Sequence, residues 1–231
     1  MTTTLITGAN KGLGFETARR LIELGHTVYL GARDAEKGAA AAESLGARFV
    51  QIDVTDDASV AGAAASILEE AGHLDVLVNN AGVSGSQADS ADVTADIVRE
   101  VYDVNVFGIV RVTHAMLPLL RKSQSPVVVN VSSGLGSFDR VNDPAHIEST
   151  FATIAYGSSK SAATMLAVQY AKAFPEMRVN AVDPGYTATD LNGNSGPQTV
   201  TEGTDAVVAM ATIGTDGPTG TFVARDGVMP W

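Results

Sequence analysis

The feature that most limits what this chain can fold into is an end-to-end alternation of short β-branched runs with alanine-rich segments of helical pattern. The runs "TTLIT", "HTVYLGA", "RFVQID", "LDVLVN", "PVVVNVS", "MRVNAV" and "GTFVA" are mostly apolar on both faces, which marks strands covered by helices above and below rather than half-exposed ones. Between them the pattern predicts helices over residues 12–25, 34–45, 56–71, 94–121, 156–173 and 201–213, several opened by a capping residue. Parallel strands need crossover helices, and right-handed crossovers turn the series into a doubly wound α/β sheet, seven parallel strands in the order 3-2-1-4-5-6-7 with helices on both faces. Residues 134–153 and 186–200 stand outside the pattern: Gly, Pro, Asn and Asp gather there without periodicity, and loops of that size in a compact domain tend to carry function.

Composition removes several classes of function. The net charge of −11 argues against nucleic acid and anionic membrane as partners, since such surfaces need clustered Lys and Arg. The chain has no cysteine, which excludes disulfides and thiolate metal sites. The opening "MTTTLITGAN" lacks the basic region and long apolar core of a secretory signal, and no run of 18 apolar residues suggests a membrane span. These features predict a cytosolic protein. With 231 residues, 45% of them hydrophobic, the chain can bury a substantial core as one domain.

The first strand runs into "TGANKGLG" and then directly into a helix. Gly8 permits a sharp turn, Gly12 lets backbone approach a pyrophosphate, and Gly14 allows close helix packing, with the helix N-terminus facing the anion. An ordinary tight strand-to-helix turn is the competing reading, and the position on strand one of an α/β series favours a nucleotide. The choice of cofactor is expected at the end of strand two, where an acid would bind ribose hydroxyls and a cation a 2′-phosphate. There the sequence reads "LGARD". Arg33, with Lys11 from the glycine loop, favours NADP, while Asp34 reads as a helix cap. Asp53 and Val54, ending strand three, are placed to contact an adenine edge; a solvated strand-end acid is the other reading of Asp53.

Strand four ends in "NNAG" and strand five in "NVSSGLG", so both face the crevice beyond the carboxyl ends of the strands where ligands bind. Farther on, "YGSSK" sets Tyr156 four residues before Lys160. On a helix that spacing places the two side chains on one face. Asn105, within "VYDVNVFG", is a polar interruption of an apolar helix, and by itself reads as a satisfied structural amide. His26, His73, His114 and His146 show no metal-ligand spacing, and no metal is expected; His146 alone lies in the irregular loop, within reach of a substrate.

Together "TGANKGLG", "NNAG", the Asn105 helix, "NVSSGLG", "YGSSK" and "DPGYTATD" resemble the short-chain dehydrogenase/reductase family, in family order and over nearly the whole chain. The opening, the "GARD" turn and the long gap between Ser133 and Tyr156 look most like its NADPH-dependent carbonyl reductases. The resemblance implies a single Rossmann-fold domain, residues 1–231, with an NADP-binding half over 1–125 and a catalytic half over 126–231. It implies catalytic Asn105, Ser133, Tyr156 and Lys160, with Ser133 preferred to Ser132 because x-x-G follows it. The cofactor contacts it implies are Gly8, Asn10, Lys11, Gly12, Leu13, Gly14, Arg33, Asp53, Val54, Asn80, Ala81, Gly82, Tyr156, Lys160, Pro184, Gly185, Thr187 and Thr189. Asn79 would shape the crevice, and Asn180 would be structural.

The implied reaction is reduction of a small-molecule ketone or aldehyde to an alcohol. Hydride arrives at carbon while Tyr156 handles the proton, Lys160 lowers the phenol pKa and grips the nicotinamide ribose, Ser133 bonds the substrate oxygen, and Asn105 holds a water linking Lys160 to solvent. A nucleotide-binding scaffold without turnover is the alternative, and the complete tetrad speaks against it. Phe138, Arg140 and His146 border the substrate pocket in this reading, Trp231 packs on the domain, and the insertion before Tyr156 favours a monomer or small homo-oligomer. If Arg33 takes the 2′-phosphate, Arg33→Asp raises the KM for NADPH far more than that for NADH; equal changes in steady-state kinetics would refute the assignment.

Overall fold

The β-branched runs pair as the alternation demands. In the computed structural model, which describes residues 1–86 and 89–231, the first half runs β1 (Thr3–Ile6), α1 (Gly12–Glu23), β2 (Thr27–Ala32), α2 (Ala35–Leu45), β3 (Arg48–Gln51), α3 (Asp57–Ala71), β4 (Val76–Asn79), α4 (Ala95–Tyr102) and α5 (Gly108–Leu120). The second half runs β5 (Val127–Val131), α6 (Phe138–Asn142), α7 (Ile154–Ala173), β6 (Arg178–Val182), α8 (Val200–Gly203), α9 (Asp205–Ala211), β7 (Phe222–Ala224) and β8 (Gly227–Val228). The sheet order is β3-β2-β1-β4-β5-β6-β7-β8. The first seven strands are parallel, and β8 adds an antiparallel hairpin to the β7 edge. That last strand is two residues long, too short to leave a periodic signature.

Alternation of side chains sends the two faces of each strand into two cores. Leu5, Leu77 and Val128 join Val112, Met116 and Phe222 on one side, while Ile6, Val78 and Val129 join Leu21, Leu30 and Val207 on the other. Burying such a side chain fully contributes about 1.5–3 kcal/mol, so the central strands, buried along their whole length, fix the sheet. Where each strand ends, the backbone must leave this apolar slab, and the polar loops collect at the carboxyl edge.

Three expected elements differ in detail. The helix over 94–121 is interrupted by a π turn at Asp103–Phe107, the stretch holding Asn105; such turns concentrate at functional sites. The helix over 201–213 breaks at Thr204, whose hydroxyl donates to Thr201 O (2.9 Å) and accepts from Arg20, an instance of a threonine side chain competing with the helical ladder. The irregular segment 134–153 contains α6 and a 3₁₀ turn at Ile147–Thr150. Among the described residues Ala95–Leu120 alone is long and apolar enough to cross a membrane by length and composition, and half of that window is buried inside the fold. Its burial against β4 and α3 accounts for the composition.

Two glycines in helices test the packing. Gly62 of α3 has open space where a Cβ would sit, whereas a Cβ on Gly38 of α2 would lie 2.2 Å from the Phe49 ring. Gly62→Ala therefore stabilises by about 0.5–1 kcal/mol, and Gly38→Ala destabilises by about 1–3 kcal/mol, differences that urea unfolding midpoints will show.

Candidate active site

The glycine loop has the geometry of an anion cradle. Gly8 and Gly12 take φ of 63° and 57°, the left-handed region that glycine enters without strain. A Cβ on Gly14 would meet Asn80 Nδ2 at 2.5 Å and Gly8 O at 2.7 Å, while one on Gly12 would meet only Thr189 Cγ2, at 3.9 Å. Packing thus requires Gly14, and Gly12 borders a gap between the loop and the segment after β6. Side chains cap α2, α3 and α4, from Asp34, Asp56 and Thr94, but the Lys11 position ahead of α1 supplies no side-chain acceptor. The first N–H groups of α1 are left for an anion. These residues fit a dinucleotide pyrophosphate.

Asn80 Nδ2 donates to Thr7 O (2.8 Å) and Gly8 O (3.0 Å), and Ala81 N donates to the Thr7 hydroxyl (3.1 Å), so the turn after β4 is laced to the glycine loop. Asn10 is half-buried in that loop. The Leu13 side chain packs against Gly203 of α8. Arg33 is exposed at the end of β2 and near enough to Asp53 to act on its charge. Partial burial pushes the Asp53 carboxyl up, but hydrogen bonds from Thr55, then Arg33, hold it below the usual range. The Val54 side chain is buried against Gly108. Lys11 reaches across the cleft to Asp190, Nζ to Oδ2 2.9 Å.

The second half of the site stands at the ends of β5 and β6. Ser132 is buried and spent on structure, its hydroxyl bonding Lys160 O (3.0 Å) and Thr164 (2.6 Å). Ser133 is half-exposed, and its hydroxyl lies near enough to the Tyr156 phenol to lower the phenol pKa. Gly136 follows because a Cβ there would lie 2.7 Å from the Lys160 carbonyl carbon, so the turn can press on α7. Lys160 is buried, donates from Nζ to Val131 O (2.8 Å), and lies 5.5 Å from the centre of the Tyr156 ring.

Asn105 Oδ1 accepts from Val83 N (2.9 Å), and its Nδ2 donates to Val83 O (2.9 Å) and Ser159 Oγ (3.0 Å). Both amide protons are used, which leaves a carbonyl lone pair and the main chain for any water. A Cβ on Gly82 would sit 3.4 Å from Asn105 Oδ1 and 3.5 Å from Lys160 Nζ, so glycine keeps that corner open. In the next loop Gly185 has φ of 69°, Thr187 donates to Pro184 O (2.9 Å), and Thr189 lies over Gly12. Asn180 bonds Pro218 O and Thr221. Buried Asn79 donates to Asn130 Oδ1 (2.9 Å), behind the crevice.

Electrostatics correct one expectation. Loss of solvent pushes the phenol up to about 12, with the Ser133 hydrogen bond opposing and Asp183 adding to the rise. Burial prevails over the hydrogen bond, and burial also lowers Lys160 to about 8, against a smaller opposing effect of Asp183. The phenol is thus a firmly held proton in this state.

Sequence reasoning missed Asp183, buried at the end of β6. An acid closing an apolar strand just before Pro-Gly was its signal. It also missed Ser159, Glu148 and Asp190, whose partners lie far away in sequence. Of the three residues expected at the substrate pocket, Phe138 is exposed, while Arg140 bonds His146 (3.1 Å). His26 bonds Thr4 and His73 bonds Asp75; among the described residues no group of three or more His, Asp or Glu could hold a metal. The two irregular segments meet where Phe151 and Tyr186 stack edge to face, 6.1 Å apart. Trp231 stacks on Phe222 at 6.3 Å.

Comparison with known proteins gives the family and the fold. A family model described as short chain dehydrogenase matches residues 2–199. A (+)-neomenthol dehydrogenase of Arabidopsis thaliana is 32% identical, with 97% of this chain and 96% of that protein covered. The alignment runs over 284 positions against 231 residues here, so that relative carries segments this chain lacks. An NADPH-bound carbonyl reductase from chicken fatty liver superposes with a TM-score of 0.87 at 27% identity, covering 100% of this chain and 99% of that one. Salutaridine reductase of Papaver somniferum superposes with a TM-score of 0.85 at 29% identity, covering 96% and 99%.

A buried ammonium is a stability liability with a definite sign. Since the folded chain releases the Lys160 proton near pH 8 and the unfolded chain near 10.5, stability rises with pH across that window. Lys160→Met is expected to raise the Tm at neutral pH, and the wild type to close the gap as pH climbs from about 8 toward 10. Thermal unfolding at several pH values measures both.

Proposed function

Because the chain belongs to the short-chain dehydrogenase/reductase family, we propose that it is an NADP(H)-dependent oxidoreductase that reduces a ketone or aldehyde to an alcohol. The observation carrying this reading is the meeting of Ser133, Tyr156 and Lys160 at the mouth of the sheet, across the same carboxyl edge as the glycine loop. NADP(H) use is supported by the pair Lys11 and Arg33 and by the NADPH bound to the chicken carbonyl reductase. When bound, the nicotinamide supplies the hydride.

The residues of the chain do the rest. Gly8, Asn10, Lys11, Gly12, Leu13, Gly14, Asn80, Ala81 and Gly82 hold the dinucleotide through the loop and the α1 N-terminus. Arg33 and Lys11 select the 2′-phosphate, Asp53 and Val54 border the adenine, and Pro184, Gly185, Thr187 and Thr189 close over the nicotinamide. Ser133 donates a hydrogen bond to the carbonyl oxygen as negative charge develops there. Tyr156, protonated throughout the neutral range, gives that oxygen its proton. Lys160 binds the ribose and restores the phenol proton, and Asn105, fixed by Val83 and Ser159, braces the corner through which a water reaches Lys160.

The names of the relatives, a (+)-neomenthol dehydrogenase and a salutaridine reductase, support a lipophilic substrate. A cytosolic location, and activity as a monomer or small homo-oligomer without nucleic acid or membrane, complete the reading. Purified protein should consume NADPH with cyclic and aromatic ketones, measured by loss of its absorbance. Tyr156→Phe should reduce turnover by about 10²-fold or more while NADPH fluorescence shows binding nearly unchanged. Activity retained in that variant would remove the proton role; NADPH binding without consumption by the wild type would favour a scaffold.

A further inference from the structure

We propose that Arg111 is a positioning residue for the dinucleotide: its guanidinium fastens the loop that borders the adenine to the helix turn that carries Asn105, so that the two ends of the cofactor site are held as one piece. The inference rests on the cofactor reading for what Val54 borders, and on hydrogen bonds of the chain itself for the fastening.

The β3 ladder ends at Gln51, so the main chain beyond it must find other partners. Asp53 N donates to the Ser59 hydroxyl (2.9 Å) and Thr55 N to Asp53 Oδ1 (2.9 Å). The Val54 carbonyl turns instead to α5, where it accepts from Arg111 Nη1. The same guanidinium donates from Nε to Asp57 Oδ1 (2.7 Å), at the start of α3, and from Nη2 to Asp103 Oδ1 (3.3 Å), at the start of the π turn. One planar cation thus joins the loop after β3, the first turn of α3 and the π turn, which a rigid fork of donors can do and a point charge cannot.

Packing agrees with the bonding. A Cβ on Gly108, the residue that follows the π turn, would lie 3.0 Å from Val54 Cγ2 and 3.1 Å from Val54 Cβ, so glycine lets α5 press on the adenine border. The Arg111 side chain is 20% exposed, against 90% for Asp57 and 41% for Asp103. Both acids keep water with or without the cation, and exposed pairs contribute little; Val54 is buried, and its carbonyl is the group that gains most from Arg111. On its other side the π turn is fixed by Asn105, whose amide bonds Val83 and Ser159. The adenine border is therefore tied, through Arg111 and then Asn105, to the end of β4 and to α7. A loop held in advance needs no ordering by its ligand, and ordering avoided appears as affinity.

The test is calorimetric binding of NADPH, and of adenosine 2′,5′-bisphosphate as the adenine half alone, to wild type, Arg111→Met and Arg111→Lys, with amide hydrogen exchange of the free proteins beside it. Arg111→Met should weaken both ligands by the same factor, about three- to tenfold. Arg111→Lys, which keeps the charge without the fork, should recover at most part of that loss. In free Arg111→Met the N–H groups of Asp53, Thr55 and Asp56 should exchange faster while those of β1 and β4 keep their protection. A merely structural arginine would lower the Tm and leave the binding of the adenine half unchanged, and a distant attractive charge would be replaced fully by lysine; either result overturns the proposal. Should Arg111→Met fail to fold, Arg111→Gln carries the same expectation and the same refutation. The exchange measurement needs no ligand, so a wild type that binds neither molecule sinks the cofactor reading alone, and unmoved exchange in the loop sinks the role of Arg111 alone.

Discussion

An ammonium held out of water is the constraint around which the carboxyl edge of this sheet is arranged. For Lys160 to reach the Val131 carbonyl, α7 must lie close over β5, which requires Gly136 beneath it, the Ser132 hydroxyl on the Lys160 carbonyl, and an open corner at Gly82. Each of these is a small residue or a short polar one in an otherwise apolar slab. The two cores on either side of the sheet are what allow a charge to be carried there, since stability given up at one point is small beside the area buried elsewhere.

Asn105 shows how the same edge handles backbone that a strand no longer pairs. Its amide bonds both polar groups of Val83 as a neighbouring strand would, extending the order of β4 by side chain after the ladder has ended. The π turn at Asp103–Phe107 is the helical counterpart, a local departure from regularity at a residue whose side chain makes three hydrogen bonds. Consistency across levels is broken at the site and kept elsewhere.

Much of this was legible in the sequence because it depends on local pattern. Apolar runs such as "VLVN" and "PVVVNV" report burial on both faces, and the glycines of "TGANKGLG" report positions where a Cβ has no room or φ is positive. Ser133, Tyr156 and Lys160 were placed by spacing and resemblance together. What escaped depended on depth and on distant partners. Tyr156 reads as a phenol beside a cation, yet solvent loss raises it against the Ser133 hydrogen bond, and no spacing carries a desolvation cost. Glu148 and Asp183 meet at Gly134 from segments far apart in the chain. The hairpin strand β8 pairs over two residues, below the length at which alternation can be seen.

The ion pair between Lys11 and Asp190 joins the loop before α1 to the loop after β6 through two side chains in contact with water. Such a pair is worth little and is screened by salt, so it behaves as a clasp that comes undone easily. Any anion that draws Lys11 to itself must take it from Asp190, and the loop running to Gln198 then loses its tether at the moment the cleft fills. Occupancy by an anion on one bank of the cleft therefore removes a link to the other.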